Sequence, residues 1–369
     1  MSSDNYNEFI NKLTKDNKEY LEDIKEKKYK IHKVRIKEGI ETDKNHLMLV
    51  NLCANLFQYG TYFNEKYGYR VVLIEPFIEE GDKNFDLAIF NKNTNTLILV
   101  ECKYSLSNIS KKLNDIEKAI KSSNEKIKKY ENILGNKIDN IEYVLCTDSN
   151  DSIEVADKIL EKNMPLITWG CSLSKSELKL FIMKGKEEHG SAYISHRVHS
   201  NEDFNKDLYE GAKSLGGTTN LFKFLPSINT AIILTEINMT IKEMIEKDEI
   251  KKNEIDFINI YHILEKELNY STLNESDIEK IALRIIEKAK IKEIYELSDA
   301  ISDDNNVKKQ KLNIKISITS GKKVKEKTEE NYIELNAARR AEKEAIEEIE
   351  SSGRIPDLYR FFTREKKEN

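Results

Sequence analysis

The alternation of apolar and polar positions predicts an α/β domain in the middle of the chain. Residues 44–66 are apolar on most faces, which indicates a buried helix, and Gly68 follows as a helix terminator. Three short runs rich in β-branched residues, a long lysine-rich amphipathic run and a strand–helix–strand pattern come next. These elements span residues 70–77, 85–90, 96–104, 107–134, 141–147, 152–163 and 165–170. The order αβββαβαβ predicts an antiparallel meander whose later strands arrive through helical crossovers, and therefore a mixed central sheet.

The segments on both sides of this domain have mainly helical patterns. Residues 6–42 alternate Lys and Glu around few apolar positions, which predicts a charged helix followed by an extended stretch at 30–37. A helix is expected near 176–188 and a buried strand at 231–239. The remaining predicted elements are helices at about 240–251, 254–268, 275–300 and 329–351 and a half-exposed strand at 311–319.

The chain therefore divides into four predicted segments. A charged helical extension covers 1–43, and the α/β domain covers 44–200. Residues 201–320 are expected to form a mainly helical domain, and residues 321–369 a charged helical tail. Within the third segment, residues 254–319 fit either a winged-helix element that binds DNA or a plain helical module for dimerisation.

The composition is typical of a globular protein without a membrane span. Hydrophobic residues make up 39% and charged residues 34% of the chain. No run approaches the roughly 18 consecutive apolar residues that cross a bilayer, and the N-terminus lacks a secretory signal, so a cytoplasmic location is expected. The net charge of −5 excludes a globally basic nucleic-acid binder and leaves local basic faces for contact with DNA. The four cysteines show neither a CxxC pair nor zinc spacing, so buried apolar roles are expected for them.

An acid and a lysine on an apolar strand are the main chemical feature of the sequence. Glu101 and Lys103 lie two apart in LILVECKY and therefore project from the same face of the strand. The preceding run, FDLAIF, is joined to this strand by the polar loop NKNTNT. A symmetric hairpin centred on that loop places Asp86 opposite Glu101, with Cβ atoms about 4.5–5.5 Å apart. Two carboxylates at that distance repel each other unless a cation lies between them.

Such a pair of hard oxygen ligands suits Mg²⁺, for which Mn²⁺ is a substitute. In this interpretation Asp86 and Glu101 bind the metal, the backbone carbonyl of Cys102 is an additional ligand, and Lys103 stabilises charge on a phosphate. The alternative is an ion pair between Glu101 and Lys103 on an edge strand, with Asp86 in a turn. The short E-x-K pattern by itself does not separate the two.

These residues and the αβββαβ order resemble the PD-(D/E)XK nuclease superfamily over roughly residues 44–170. The resemblance implies a restriction-endonuclease-like fold, Asp86 and Glu101 as metal ligands, and Lys103 as the catalytic lysine. Phe85 stands where the motif has proline, and the helix at 44–64, where many members place a glutamate, contains no acid. The acids considered in its place are Glu41, Glu65, Glu79 and Glu80, with Glu80 favoured.

The resemblance implies a Mg²⁺-dependent endonuclease that acts on DNA in restriction or anti-phage defence. A repair or recombination nuclease is the alternative within this class, and a catalytically inert nucleic-acid-binding or scaffolding module is the alternative outside it. The expected partners are DNA, a helicase or methyltransferase protein and a second copy of the chain, with no membrane. The lysines of the helix at 107–134 fit phosphate contacts and solvated ion pairs equally well. The histidines at 189, 196 and 199 match no metal-binding spacing and are expected in the core or at the surface.

Overall fold

Twelve segments of the chain are described by the computed structural model. They are residues 15–81, 83–104, 109–148, 151–174, 177–182, 197–210, 212–215, 221–249, 255–289, 295–297, 311–314 and 321–351. Their contacts divide the chain into two units, one of residues 1–41 with 316–369 and one of residues 42–315. The two terminal segments, which the sequence suggested as separate, thus belong to one unit.

A mixed seven-stranded sheet forms the centre of the larger unit, with its strands in sequential order. The strands are β1 (Tyr69–Ile74), β2 (Leu87–Asn91), β3 (Thr96–Lys103), β4 (Asn140–Asp148), β5 (Leu166–Ser174), β6 (Glu177–Ile182) and β7 (Ala212–Leu215). β3, β4 and β5 run parallel, and every other neighbouring pair is antiparallel. The expected α/β class and mixed sheet are confirmed. The sheet is wider than expected because β6 and β7 extend it.

Helices cover both faces of this sheet. They are α1 (Lys15–Asn55), α2 (Tyr62–Tyr67), α3 (Ile109–Glu125), α4 (Ile127–Leu134), α5 (Ser152–Glu161) and α6 (Glu202–Glu210). α3 and α5 bury Leu113 and Ile159 against Leu99 and Leu145 of the sheet. The opposite face receives the end of α1 and the segment after it, where Phe57 stacks on Trp169 with ring centroids 5.6 Å apart. Strands covered on both faces are apolar throughout, and all five residues of β2 are buried.

The last part of the larger unit combines three helices with a small antiparallel sheet. Its elements are α7 (Thr230–Glu246), β8 (Ile255–Asp256), α8 (Phe257–Glu267), α9 (Glu275–Ala289), β9 (Tyr295–Leu297) and β10 (Lys311–Ile314). The strand order is β8-β10-β9, and α7 packs against α8 and α9. The described part of 254–319 thus contains α8, α9 and three short strands, and the winged-helix and dimerisation interpretations of this segment both stay predictions.

Four secondary-structure predictions were wrong. The helix predicted over 275–300 ends at Ala289, and Tyr295–Leu297 form β9 because they pair with β10. Residues 30–37 continue α1 instead of forming an extended stretch, because packing overrides the weak preference of β-branched residues for strands. Strand β6 occupies part of 176–188, where apolar and polar residues alternate, instead of the predicted helix. Residues 231–239 lie in α7 instead of a strand, because a helix that is buried on nearly all sides has no polar face to reveal its period. The predictions for His189 and His196 fall outside the described residues.

The smaller unit contains the first part of α1 and the charged helix α10 (Gly321–Ser351). Leu21 and Ile24 of α1 form an apolar cluster with Ala345 and Ile349 of α10. Ion pairs flank this cluster, including Lys28 Nζ to Glu348 Oε2 at 3.2 Å. The Lys and Glu alternation of both segments therefore provides pairing between two helices. Within the described residues, no helix has the length and apolar character needed to cross a membrane.

Candidate active site

The β2–β3 hairpin determines where Asp86 and Glu101 lie. Asn91 pairs with Thr96 at the loop, and Leu87 pairs with Val100 at the far end of β2. The predicted hairpin register is therefore confirmed from Leu87 to Asn91. Asp86 lies just outside the ladder, and its N–H donates to the carbonyl of Val100, the residue that Leu87 already faces, at 3.0 Å. Asp86 and Glu101 thus lie at the adjoining ends of the two strands.

Asp86 is held by two donors from different elements. Its Oδ2 accepts a hydrogen bond from the backbone N–H of Cys102 at 2.6 Å, and its Oδ1 lies 3.0 Å from His46 Nε2 of α1. Burial raises the pKa of Asp86, but the charges of His46 and Lys103 and these hydrogen bonds outweigh burial and hold the pKa below its ordinary value. Burial also lowers the pKa of His46, and the Asp86 carboxylate more than offsets this and raises it to about 9. The side chains therefore form an ion pair at neutral pH, with His46 as the donor.

Glu101 uses only one of its two oxygens within the described part of the chain. Its Oε1 lies 2.5 Å from Lys103 Nζ, whereas Oε2 is buried and has no hydrogen-bond partner among the described residues. Burial and the nearby Asp86 carboxylate raise the pKa of Glu101 to about 7, although Lys103 opposes this. Burial lowers the pKa of Lys103, and the two carboxylates outweigh it, so its pKa lies above the ordinary value. A buried carboxylate oxygen without a donor is suited to receive a cation.

Glu75 is the third carboxylate of the site, and the sequence interpretation missed it. It directly follows β1 in a left-handed backbone conformation (φ 38°), and its N–H donates to the Asp86 carbonyl at 2.9 Å. Its Oε2 accepts from the Ser227 N–H at 2.7 Å, and its Oε1 accepts from the Ser227 hydroxyl. The residue is only 4% exposed, and burial raises its pKa to about 7. Such a backbone conformation costs about 1–3 kcal/mol at a non-glycine residue and is concentrated at functional sites.

These groups line one open cavity of about 770 Å³. Its acidic members are Asp43, Glu75, Asp86 and Glu101, and its basic members are His46, Lys83, Lys103 and Lys112. Oxygen donors on two adjacent strand ends with an ammonium group beside them fit a hard divalent cation such as Mg²⁺. Asp86 and Glu101 would hold the ion. Oε2 of Glu101, which has no hydrogen-bond partner among the described residues, would be one of its ligand atoms. His46 and Lys103 contribute positive charge that the ion would partly replace.

The other predicted site residues lie elsewhere or act differently. Cys102 contributes its N–H to Asp86, while its side chain is buried on the opposite face of β3 from Glu101. Glu80 binds Lys129 and Lys126 at 2.6 and 3.1 Å, and Glu79 accepts a hydrogen bond from Thr272. Glu41 and Glu65 are exposed. None of these four acids lines the cavity that contains Asp86 and Glu101, whereas Glu75 does.

The lysine-rich helix α3 is mostly a solvated face. Lys118 and Lys121 pair with Asp115 and Glu117 of the same helix at 3.8 and 3.1 Å. Lys112 differs because it lines the cavity, where burial and the charge of Lys103 lower its pKa. One lysine of the helix thus faces the candidate site.

His199 lies in the core, which is one of the two locations expected for it. Its Nδ1–H donates to Glu142 Oε2 at 2.6 Å, and its Nε2 accepts from the indole N–H of Trp169 at 2.9 Å. Its side chain is fully buried, so both ring nitrogens are satisfied inside the protein. No ligand position remains on this ring.

Comparison with known proteins gives one relative and no family assignment. No family model matches the chain, and no solved structure matches it. A protein of Archaeoglobus fulgidus, described as uncharacterized, is 26% identical over 333 residues. The match covers 86% of this chain and 88% of that protein, so it includes residues of both units.

Proposed function

We propose that the protein is a Mg²⁺-dependent endonuclease that hydrolyses phosphodiester bonds of DNA, with a PD-(D/E)XK-type active site. The observation that carries this proposal is the buried Asp86 and Glu101. One Glu101 oxygen has no hydrogen-bond partner among the described residues, and the other lies 2.5 Å from the ammonium nitrogen of Lys103. A structural ion pair would satisfy both oxygens of Glu101, whereas a cation site leaves one available.

Each residue has a chemical task in this proposal. Bound Mg²⁺ would polarise a phosphoryl oxygen and lower the pKa of a water molecule bound to the ion. Asp86 and Glu101 hold the ion, and Glu75 lines the same cavity as a further acid. Lys103 stabilises the charge that develops on the transferred phosphate, since its raised pKa keeps it protonated. Lys112 lies on the cavity wall, where it is suited to contact a phosphate of the DNA backbone.

The remaining parts of the chain support DNA as the substrate and defence as the setting. The winged-helix order of α7 to β10 is an arrangement that places a helix in the major groove of DNA. The paired helices of the smaller unit supply a surface for a protein partner such as a helicase or methyltransferase, or for a second copy. Restriction or anti-phage defence uses such additional regions, and repair or recombination is the alternative setting.

Cleavage of defined nucleic acids tests this proposal. Supercoiled plasmid, linear duplex, single-stranded DNA and RNA are incubated with Mg²⁺, Mn²⁺ or EDTA, using the wild type, Asp86→Asn and Lys103→Met. Lys206→Met is the matched control, because Lys206 is exposed and pairs with Asp203 outside the cavity. We expect metal-dependent cleavage of DNA by the wild type and the control, and a loss of roughly 10²-fold or more in the two site variants.

Three results would contradict the proposal. Equal cleavage by all four proteins would remove the active-site assignment. Retarded migration of DNA in a gel without cleavage of any substrate would instead indicate the inert binding module. Discrete fragments would indicate sequence-specific restriction, and cleavage confined to RNA would replace DNA as the substrate.

A further inference from the structure

Three of the four cysteines of the chain meet behind the candidate active site, and the fourth lies close to them. The three are Cys53 of α1, Cys102 of β3 and Cys146 of β4, and the fourth is Cys171 of β5. The sheet register pairs Cys102 with Cys146, and the Sγ atoms of Cys53, Cys102 and Cys146 lie within 4.8 Å of one another. Cys171 lies on the neighbouring strand β5, close enough to help raise the pKa of the Cys146 thiol. The sequence separates these residues widely, so only the fold brings them together.

The geometry of this thiol cluster is close to that of a metal site. Sulfur ligands bind Zn²⁺ at about 2.3 Å in a tetrahedron, which separates two sulfurs by about 3.8 Å. The three sulfurs here need to approach one another by at most about 1 Å to reach that separation. The donor set contains sulfur alone, which favours Zn²⁺, Cu(I) or iron over Mg²⁺.

We propose that Cys53, Cys102 and Cys146 bind one Zn²⁺ ion, with Cys171, whose sulfur has to approach the other three further, as the fourth ligand. Each thiol releases its proton to solvent as the thiolate binds the ion. The ion joins α1 to the adjacent strands β3 and β4 in the interior of the larger unit. It therefore fixes α1, which carries His46, relative to β3, which carries Glu101 and Lys103 on its other face. This structural role stands independently of the nuclease proposal.

Metal analysis of the full chain tests the zinc site. The wild type, purified without chelator and then dialysed against EDTA, is expected to retain about one zinc per chain by elemental mass spectrometry. Cys146→Ala is expected to retain at least tenfold less zinc. The matched control is Val144→Ala, because Val144 is also fully buried on the same face of β4 and offers no ligand. It is expected to keep the wild-type zinc content.

A second measurement covers the case in which Cys146→Ala does not fold. Cobalt-substituted wild type is expected to show the sulfur-to-cobalt charge-transfer absorption of thiolate ligands, which carboxylate ligands do not produce. Absence of zinc from the wild type together with absence of this band would overturn the proposal and leave the cysteines as apolar packing residues. Zinc that is lost in Glu101→Gln but kept in Cys146→Ala would also overturn it, because the ion would then belong to the carboxylates.

Discussion

Replacement of Glu75 by glutamine is expected to stabilise the metal-free protein at alkaline pH. An ordinary glutamate ionises near pH 4.5, whereas burial raises the pKa of Glu75 to about 7. Between these values the unfolded chain is ionised while the folded chain keeps its proton, so stability falls by about 1.4 kcal/mol per pH unit. Above pH 7 both states are ionised, and the full cost is about 3 kcal/mol. Glutamine is isosteric and can keep both contacts with Ser227, but it carries no charge.

The assay is chemical denaturation of the wild type and Glu75→Gln from pH 5 to pH 8.5 in EDTA. The free energy of unfolding of the variant relative to that of the wild type should increase across this range by up to about 3 kcal/mol. Saturating Mg²⁺ should reduce this advantage at pH 8, because a bound cation offsets the charge of Glu75. A difference that is constant with pH would refute the reasoning, since it would show that Glu75 has the same pKa in the folded and the unfolded chain.

Three further outcomes are expected. Mg²⁺ binding should tighten as pH rises towards 9 and should release protons, because the ion competes with protonated His46 for Asp86. An affinity that calorimetry finds independent of pH would contradict this, as would a pH dependence that is unchanged in His46→Asn. Glu142→Gln should destabilise the protein at pH 7 and lose this effect in acid. Burial raises the pKa of Glu142, but the hydrogen bond from His199 outweighs burial and lowers the pKa. The ionised Glu142 therefore stabilises the fold above pH 4.5, and this contribution disappears as pH falls further. Equal free energies of unfolding of the variant and the wild type at pH 7 would argue against the His199 contact. Ala345→Leu should destabilise the helix pair by about 1–3 kcal/mol, because Ala345 is fully buried beside Leu21 and Ile24; helix α10 protected from proteolysis as in the wild type would speak against that packing.

The hairpin register could be predicted from the sequence because it depends on local features. The position of the polar loop between two apolar runs determines which residues pair across the hairpin. Side chains alternate between the two faces of a strand, so this register also determines which residues share a face. The strand pairs Asn91–Thr96 and Leu87–Val100 bear this out. The same argument gives Glu101 and Lys103 a common face without any distant contact.

The rest of the site could not be predicted because it depends on contacts between distant segments. His46 and Glu75 meet Asp86 from α1 and from the end of β1, and no spacing rule links these positions. Ser227 reaches Glu75 across a sequence separation of 152 residues. The sequence offered one signal for His46: the predicted helix at 44–64 lacks an acid but has this histidine near its start. Glu80 was favoured for nearness in sequence, yet its lysine partners bind it elsewhere.

Periodicity failed where burial was complete. The run AIILTEINM is apolar on nearly every side, and this pattern is shared by buried strands and buried helices. A local signal for the helix was present in Asn229, whose side chain accepts a hydrogen bond from the Ala231 N–H at 3.0 Å as an N-cap. The start of β6, Glu177 to Leu180, alternates polar and apolar residues as strands do, although a helix was predicted there.

The cleavage rate of Glu101→Gln, compared with that of Glu142→Gln, tests the central claim most directly. Both residues are buried glutamates with 8% exposure that pair with a basic side chain, but only Glu101 lines the cavity. In saturating Mg²⁺, at a temperature where both variants are folded, we expect Glu142→Gln to cleave DNA at nearly the wild-type rate. Glu101→Gln is expected to be slower by roughly 10²-fold or more. Cleavage by Glu101→Gln at the wild-type rate would contradict the assignment of Asp86, Glu101 and Lys103 as the active site.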